Sequence, residues 1–171
     1  MKPKVLILMG SDSDWEVMSE AKKALDEMGV LCDVHVSSAH RTPERTGRLA
    51  REAAGRGIEV VICGAGAAAH LAGVVASETE LPVLGVPLAA TELRGLDALL
   101  ATLQMPGGVP VGTLGIGKPG ARNAGLLAAR ILGRSDGAIA AKVREQRERM
   151  ARDVEAKDAA LQALLAATEK K

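Results

Sequence analysis

Within Ser37-Ser38-Ala39-His40-Arg41-Thr42-Pro43 the chain places a titratable imidazole, a fixed cation and two serine hydroxyls. An imidazole exchanges protons near neutral pH, and a guanidinium clamps phosphate or carboxylate through paired hydrogen bonds. Gly10-Ser11-Asp12-Ser13-Asp14 adds hydroxyls and free amides at a helix start, which suits an anion. Its two aspartates would oppose an anion set directly on them, so Ser11 and Ser13 are expected near a phosphate and Asp14 near sugar hydroxyls. The purely structural alternative is capping of the helix by Ser13 or Asp14. Gly64-Ala65-Gly66-Ala67-Ala68-Ala69-His70-Leu71 offers backbone that a flat ligand can approach, plus a second imidazole. A lone histidine there satisfies a helix end by default. The glycine spacing does not match a dinucleotide fingerprint, and no Walker lysine follows.

Met105-Pro106-Gly107-Gly108 reads as a mobile loop able to cover a site, and His35, inside a strand, is given no role. There is no HExxH, no CxxC and no hydrolase order of Ser, His and Asp; the two cysteines, Cys32 and Cys63, are too few for a metal site. The chemistry these residues suit is proton transfer on a compact phosphorylated substrate. No metal or cofactor is implied.

The elements that must position them alternate. Val5 to Met9 is a continuous apolar run, as in a strand buried on both faces. Trp15 to Met28 has a helical apolar period that includes Trp15, and Gly29 ends it. A second strand over Leu31 to Val36 leads into the His40 turn, where Thr42 can cap a helix and Pro43 fits its first position; Arg45 stands where a capping box would want Glu or Gln. Further strands are predicted over Ile58 to Cys63, Pro82 to Val86 (closed by Pro87) and Val111 to Leu114. Further helices are predicted from Pro43 to about Gly55 or Gly57, over Leu96 to Leu103 and over Ala121 to Leu132. Five such alternations predict an α/β fold: a five-stranded parallel sheet sandwiched by helices, with three of the small-residue loops side by side on one edge. Residues 1–133 form this unit. Residues 134–171 read as one amphipathic helix, expected to pack on a neighbouring subunit rather than across its own domain.

Composition narrows the class. At 171 residues with 47% apolar and 25% charged residues, the chain can bury a core, but it has one Trp and neither Phe nor Tyr. A core of small aliphatic side chains buries less area per residue than an aromatic one and often gains from oligomerisation. Net charge is +1 with no basic stripe, which argues against polymeric nucleic acid. No apolar run reaches the length of a membrane span or a signal peptide, and the sparse cysteines suit a reducing cytoplasm.

Taken in order, Gly10-Ser-Asp-Ser-Asp-Trp15, Ser38-Ala-His-Arg-Thr-Pro43, Gly64-Ala-Gly-Ala-Ala-Ala-His-Leu71, Pro82-Val-Leu-Gly-Val-Pro87 and Gln104-Met-Pro-Gly-Gly-Val-Pro-Val111 resemble the N5-carboxyaminoimidazole ribonucleotide mutases of bacterial purine biosynthesis. The resemblance spans roughly residues 4–133. It implies a flavodoxin-like α/β/α sandwich, a homo-octamer with sites at subunit junctions, and transfer of a carboxylate from an exocyclic nitrogen to ring carbon C4 without metal or ATP. By position it implies that His40 is the general acid–base. It assigns the ribose phosphate to Ser11, Ser13, Asp14 and Arg41, and the remaining substrate contacts to Ser38, Ala39, Gly64, Ala65, Gly66, His70 and Leu71. The family usually has Gly at Ala67, Pro at Ala72, a polar residue near Ala89 and Ala90, and Ser at Ala98. A related group carboxylates aminoimidazole ribonucleotide directly and resembles Ser-Ala-His-Lys-Thr in its second motif; Arg41, Pro43 and His70 set this chain with the mutases. A non-catalytic phosphate-ligand-binding module of the same fold is the third reading.

Overall fold

The computed structural model describes residues 2–168. Its elements run β1 (Val5–Met9), α1 (Trp15–Glu27), β2 (Cys32–Val36), α2 (Pro43–Ala53), β3 (Val60–Gly66), α3 (Leu71–Glu78), β4 (Val83–Leu88), α4 (Leu96–Leu103), β5 (Gly112–Thr113), α5 (Gly117–Leu132) and α6 (Gly137–Thr168). The five strands form one parallel sheet in the order β2-β1-β3-β4-β5. This is the flavodoxin-like order, with a topological switch between β1 and β3.

β1 is buried on both faces, so its side chains divide by parity. Val5, Ile7 and Met9 enter one core with α1 and α5, while Leu6 and Leu8 enter the other with α2 and α3. The first core is closed by Ala21, Ala24, Ala121, Ala124 and Ala128, all fully buried. Alanine contacts let the two helices approach closely, which is how a chain nearly free of aromatics reaches a dense interior.

The observed elements differ from the sequence reading at several boundaries, α5 beginning at Gly117 rather than Ala121 among them. β3 does not stop at Cys63: Gly64, Ala65 and Gly66 continue the strand, paired with Val86, Pro87 and Leu88 of β4. Pro87 therefore lies inside β4 rather than closing it. The Gly85 carbonyl accepts from the Leu114 N–H at 2.8 Å, so residues 85 and 87 turn their backbone groups toward β5. β5 pairs with β4 only as far as Gly85, and Pro87, with no N–H to donate, stands just past that ladder. Trp15, expected in the apolar stripe of α1, is 39% exposed, whereas Met18, Ala21 and Leu25 on the same stripe are buried. It stands at the first helical position and shares an open surface pocket with Met9, Val34 and Val36 at the ends of β1 and β2.

The expected boundary at residue 133 falls in the turn between α5 and α6. Asp136 caps α6, its Oδ1 accepting from the N–H groups of Ala138 (2.9 Å) and Ile139 (3.1 Å). Ile139, Val143 and Gln146 settle the first turns against their own chain, Ile139 and Val143 joining the α5 core. Beyond Gln146 every described residue is exposed, including Met150, Val154, Leu161, Leu164 and Leu165. Residues 169–171, the end of the expected helix, lie outside the described residues. Among the described residues no helix is long and apolar enough to cross a membrane.

Candidate active site

β1, β2 and β3 run in register, Met9 beside both Val36 and Gly64, so the turns that follow them meet at the carboxyl edge of the sheet. They enclose a cleft of about 380 Å³. Of the expected site residues, Ser11, Ser13, Asp14, Ser38, Ala39, His40, Arg41, Ala65, Gly66 and Leu71 line it, and Gly64 and His70 do not.

The first turn is a 3-10 turn over Asp12–Asp14 closed by a capping box. The cap is Ser11, not Ser13 or Asp14. The Ser11 N–H donates to Asp14 Oδ2 at 3.0 Å, and the Ser11 hydroxyl accepts from the Ser13 N–H at 3.4 Å and the Ser13 hydroxyl at 2.9 Å. Asp14 is half-buried, and burial pushes its carboxyl above the ordinary value against the pull of the backbone N–H bonds and Arg41. One Asp14 oxygen thus shapes the turn before any ligand arrives.

The second turn carries the charged pair. Pro43 takes the first position of α2, as expected, but Thr42 makes no side-chain cap bond into the helix. Its hydroxyl instead accepts from the Ser38 N–H at 3.0 Å and donates to the Ser38 carbonyl at 2.9 Å, closing the turn on itself. From this turn the two functional groups diverge. Arg41 Nη2 donates to the Gly10 carbonyl at 2.8 Å, across the first turn. His40 Nε2 lies 2.9 Å from His70 Nδ1, its ring edge-on at an interplanar angle of 89°. One imidazole must donate and the other accept, so the space between the two facing nitrogens holds a single proton. His70 occupies the cap position of α3 but makes no side-chain cap bond, which overturns its default structural reading. It reaches the site through His40 rather than by lining the cleft.

The third segment is a wall, not a loop. A Cβ on Gly64 would stand 2.3 Å from Met18 Sδ, and one on Gly66 would stand 2.5 Å from the Ala90 Cβ. Gly64 is small because a core methionine lies over it, not to admit a ligand. Ala67 leaves the strand with φ of 52°, in the left-handed region. Gly10, Ala67, Ala68 and Ala90 also line the cleft, although none was among the expected site residues. Ala90 lies two residues past the end of β4, the neighbour of β3, so the rule that ligands gather at carboxyl strand ends points to it. The Met105–Gly108 loop does not line the cleft. It feeds the amino end of β5, the wrong end of the sheet for a lid on its own site, and Met105 packs over Gly73 of α3. His35, given no role, bonds Asp33 at 3.0 Å on the edge strand.

The AIR carboxylase family model matches residues 4–153. The chain belongs to that family. Curated relatives named N5-carboxyaminoimidazole ribonucleotide mutase include one from Mycobacterium tuberculosis, 54% identical over 95% of this chain and 92% of its own length. Another, from Thermotoga maritima, is 55% identical over 89% of this chain and 88% of its own. Among solved structures, Treponema denticola PurE superposes with a TM-score of 0.84 at 29% identity, over 92% of this chain and 98% of that one. The family assignment covers all five strands and the whole cleft.

Proposed function

We propose that this protein is an N5-carboxyaminoimidazole ribonucleotide mutase, moving the carboxylate from the exocyclic nitrogen to ring carbon C4 in purine biosynthesis. The reading is supported by the relatives' high identity across nearly the whole chain and carried by one observation. A single turn sends a guanidinium to one side of the cleft and an imidazole to the other, over a floor of alanine and glycine.

Arg41, the cation lining the cleft, holds the ribose phosphate with the hydroxyls of Ser11 and Ser13, and Asp14 stands near the ribose. His40 moves the proton. As the N–C bond of the carbamate breaks, carbon dioxide leaves and the exocyclic nitrogen takes up a proton. C4 then bonds the carbon dioxide and gives up its own hydrogen as a proton. One proton is delivered and one recovered, so a single imidazole closes the cycle, with His70 fixing which face of its ring is free. The alanines and Leu71 keep water from carbon dioxide while it waits beside the ring. Ser38, Ala39, Ala65 and Gly66 complete the substrate pocket, and Gly64 supports it from below.

The second reading, direct carboxylation of aminoimidazole ribonucleotide, is favoured by the name of the matched family model, AIR carboxylase. Ultraviolet absorbance of the C4 product separates the two. Rapid product from N5-carboxyaminoimidazole ribonucleotide is expected; rapid product from aminoimidazole ribonucleotide with bicarbonate at physiological levels would overturn the mutase reading.

The exposed apolar residues of α6 support packing of this helix on a neighbouring subunit, and we propose, from the family resemblance, that the assembly is a cytoplasmic homo-octamer. Truncation after Gly133 is expected to lower the mass measured by light scattering below that of an octamer. An unchanged mass would assign the helix to its own subunit.

A further inference from the structure

Beneath the His40–Arg41 turn lie two hydroxyls that the reaction does not use. Ser37 directly follows β2, its N–H donating to the Met9 carbonyl at 2.8 Å, and it is 2% exposed. Thr46 stands in the first turn of α2 and is fully buried. Their oxygens lie 2.8 Å apart and bond only each other. Around them is an apolar layer that includes Leu8, Leu49 and Ala50. An alanine and a valine would fill the same volume there, so packing alone does not require a polar pair.

A directional bond does something packing does not: it sets a distance. Residues 37 and 46 bracket the turn, one at the end of the strand and the other inside the helix. Thr42 closes the same turn higher up through its two bonds to Ser38, and the Arg41 N–H donates to the Ser38 hydroxyl at 3.2 Å. The side chains this scaffold carries are exposed. Among the described residues the His40 side chain is tied only to His70, and the Arg41 side chain only to the Gly10 carbonyl. Neither is wedged by neighbours, so the backbone of the turn decides where they point.

We propose that the Ser37–Thr46 hydroxyl pair is a positioning device for the reaction: it fixes the strand-to-helix turn so that His40 meets His70 and Arg41 meets the first turn. Both are positioning residues, acting through His40 and Arg41 without touching substrate. Its kinetic consequence rests on the mutase reading; its structural consequence does not.

The test compares Thr46→Val, the double variant Ser37→Ala with Thr46→Val, and Thr46→Ser. Thr46→Val strands the Ser37 hydroxyl in an apolar layer and lowers Tm, whereas removing both partners returns Tm close to the parent value. With Tm restored, the double variant is expected to keep a kcat about tenfold below the parent, because small displacements of reacting groups are costly in rate. Thr46→Ser restores the hydroxyl and the rate. Recovery of kcat together with Tm in the double variant would overturn the proposal. Should the core variants fail to fold, Thr42→Val on the exposed rim carries the test: Tm holds and kcat falls, and an unchanged kcat counts against the proposal. Imidazole 15N NMR reads the His40–His70 contact without substrate. An altered signal in the double variant is expected, and an unaltered one overturns the proposal whatever the parent enzyme turns over.

Discussion

One wall of the cleft is made of hydroxyls, a carboxylate and a guanidinium from the turns after β1 and β2. The other is alanine and glycine from β3, its outgoing turn and the turn after β4. The polar wall is held by side-chain bonds within turns: Ser11 to Asp14, Thr42 to Ser38, Ser37 to Thr46. The small wall is held by backbone pairing to β4 and by close contacts with the core under it. A substitution in the first should therefore disturb binding and rate while the fold stands. In the second it should disturb stability first.

The strongest challenge to this division is His40→Asn. It keeps a polar side chain of similar reach but cannot exchange a proton near neutral pH, so turnover should fall by about 10²- to 10⁴-fold with substrate affinity and Tm retained. Retained turnover would remove the acid–base role. Arg41→Ala should act on affinity instead. Losing charge-assisted hydrogen bonds to a phosphate is worth about 2 kcal/mol, or roughly a 30-fold rise in Kd by calorimetry. A change confined to kcat would break the assignment.

The small wall is challenged by Gly64→Ala. The new methyl would meet the Sδ and Cγ of Met18, a fully buried side chain of the core. Overpacking of this kind costs about 1–3 kcal/mol, read as a lower midpoint in denaturant titration. An unchanged midpoint would mean that the strand shifts freely, and the contrast between the walls would fail. The smallest effect is expected at Ala67, whose φ of 52° costs an L residue about 1–2 kcal/mol. Ala67→Gly relieves that strain but frees the unfolded chain by about 0.5–1 kcal/mol, leaving a net gain near 0.5 kcal/mol. For a chain of this size that is a Tm rise of about 1–2 °C. A fall in Tm would show that the methyl contributes packing at the rim of the cleft.

The polar wall was legible because its chemistry is local. His40, Arg41, Thr42 and Pro43 are consecutive, next to a strand recognisable from alternation and a helix start recognisable from Thr-Pro. The small wall was misread for the opposite reason. Gly64 looks like part of a ligand-approach loop until β4 is placed beside it and Met18 beneath, and both neighbours come from distant sequence; Gly66 does line the cleft, but as part of the strand. The Met105–Gly108 loop was misplaced similarly: its composition says loop, but only the path of the chain says which end of the sheet it reaches.

From composition, period and turn chemistry alone, the chain determines a parallel α/β sandwich, the order of its elements and the residues able to move a proton or hold an anion. Those signals arise from burial on both strand faces, from helical periodicity and from caps, all of which act over a few residues. Tertiary structure decided which side chains meet. It set His70 against His40 across a sequence separation of 30 residues, joined Ser37 to Thr46 under the turn, brought Ala90 into the cleft and put Pro87 inside a strand, just past its pairing with β5. Contacts of that kind depend on strand order and register, and neither is written in any short stretch of sequence.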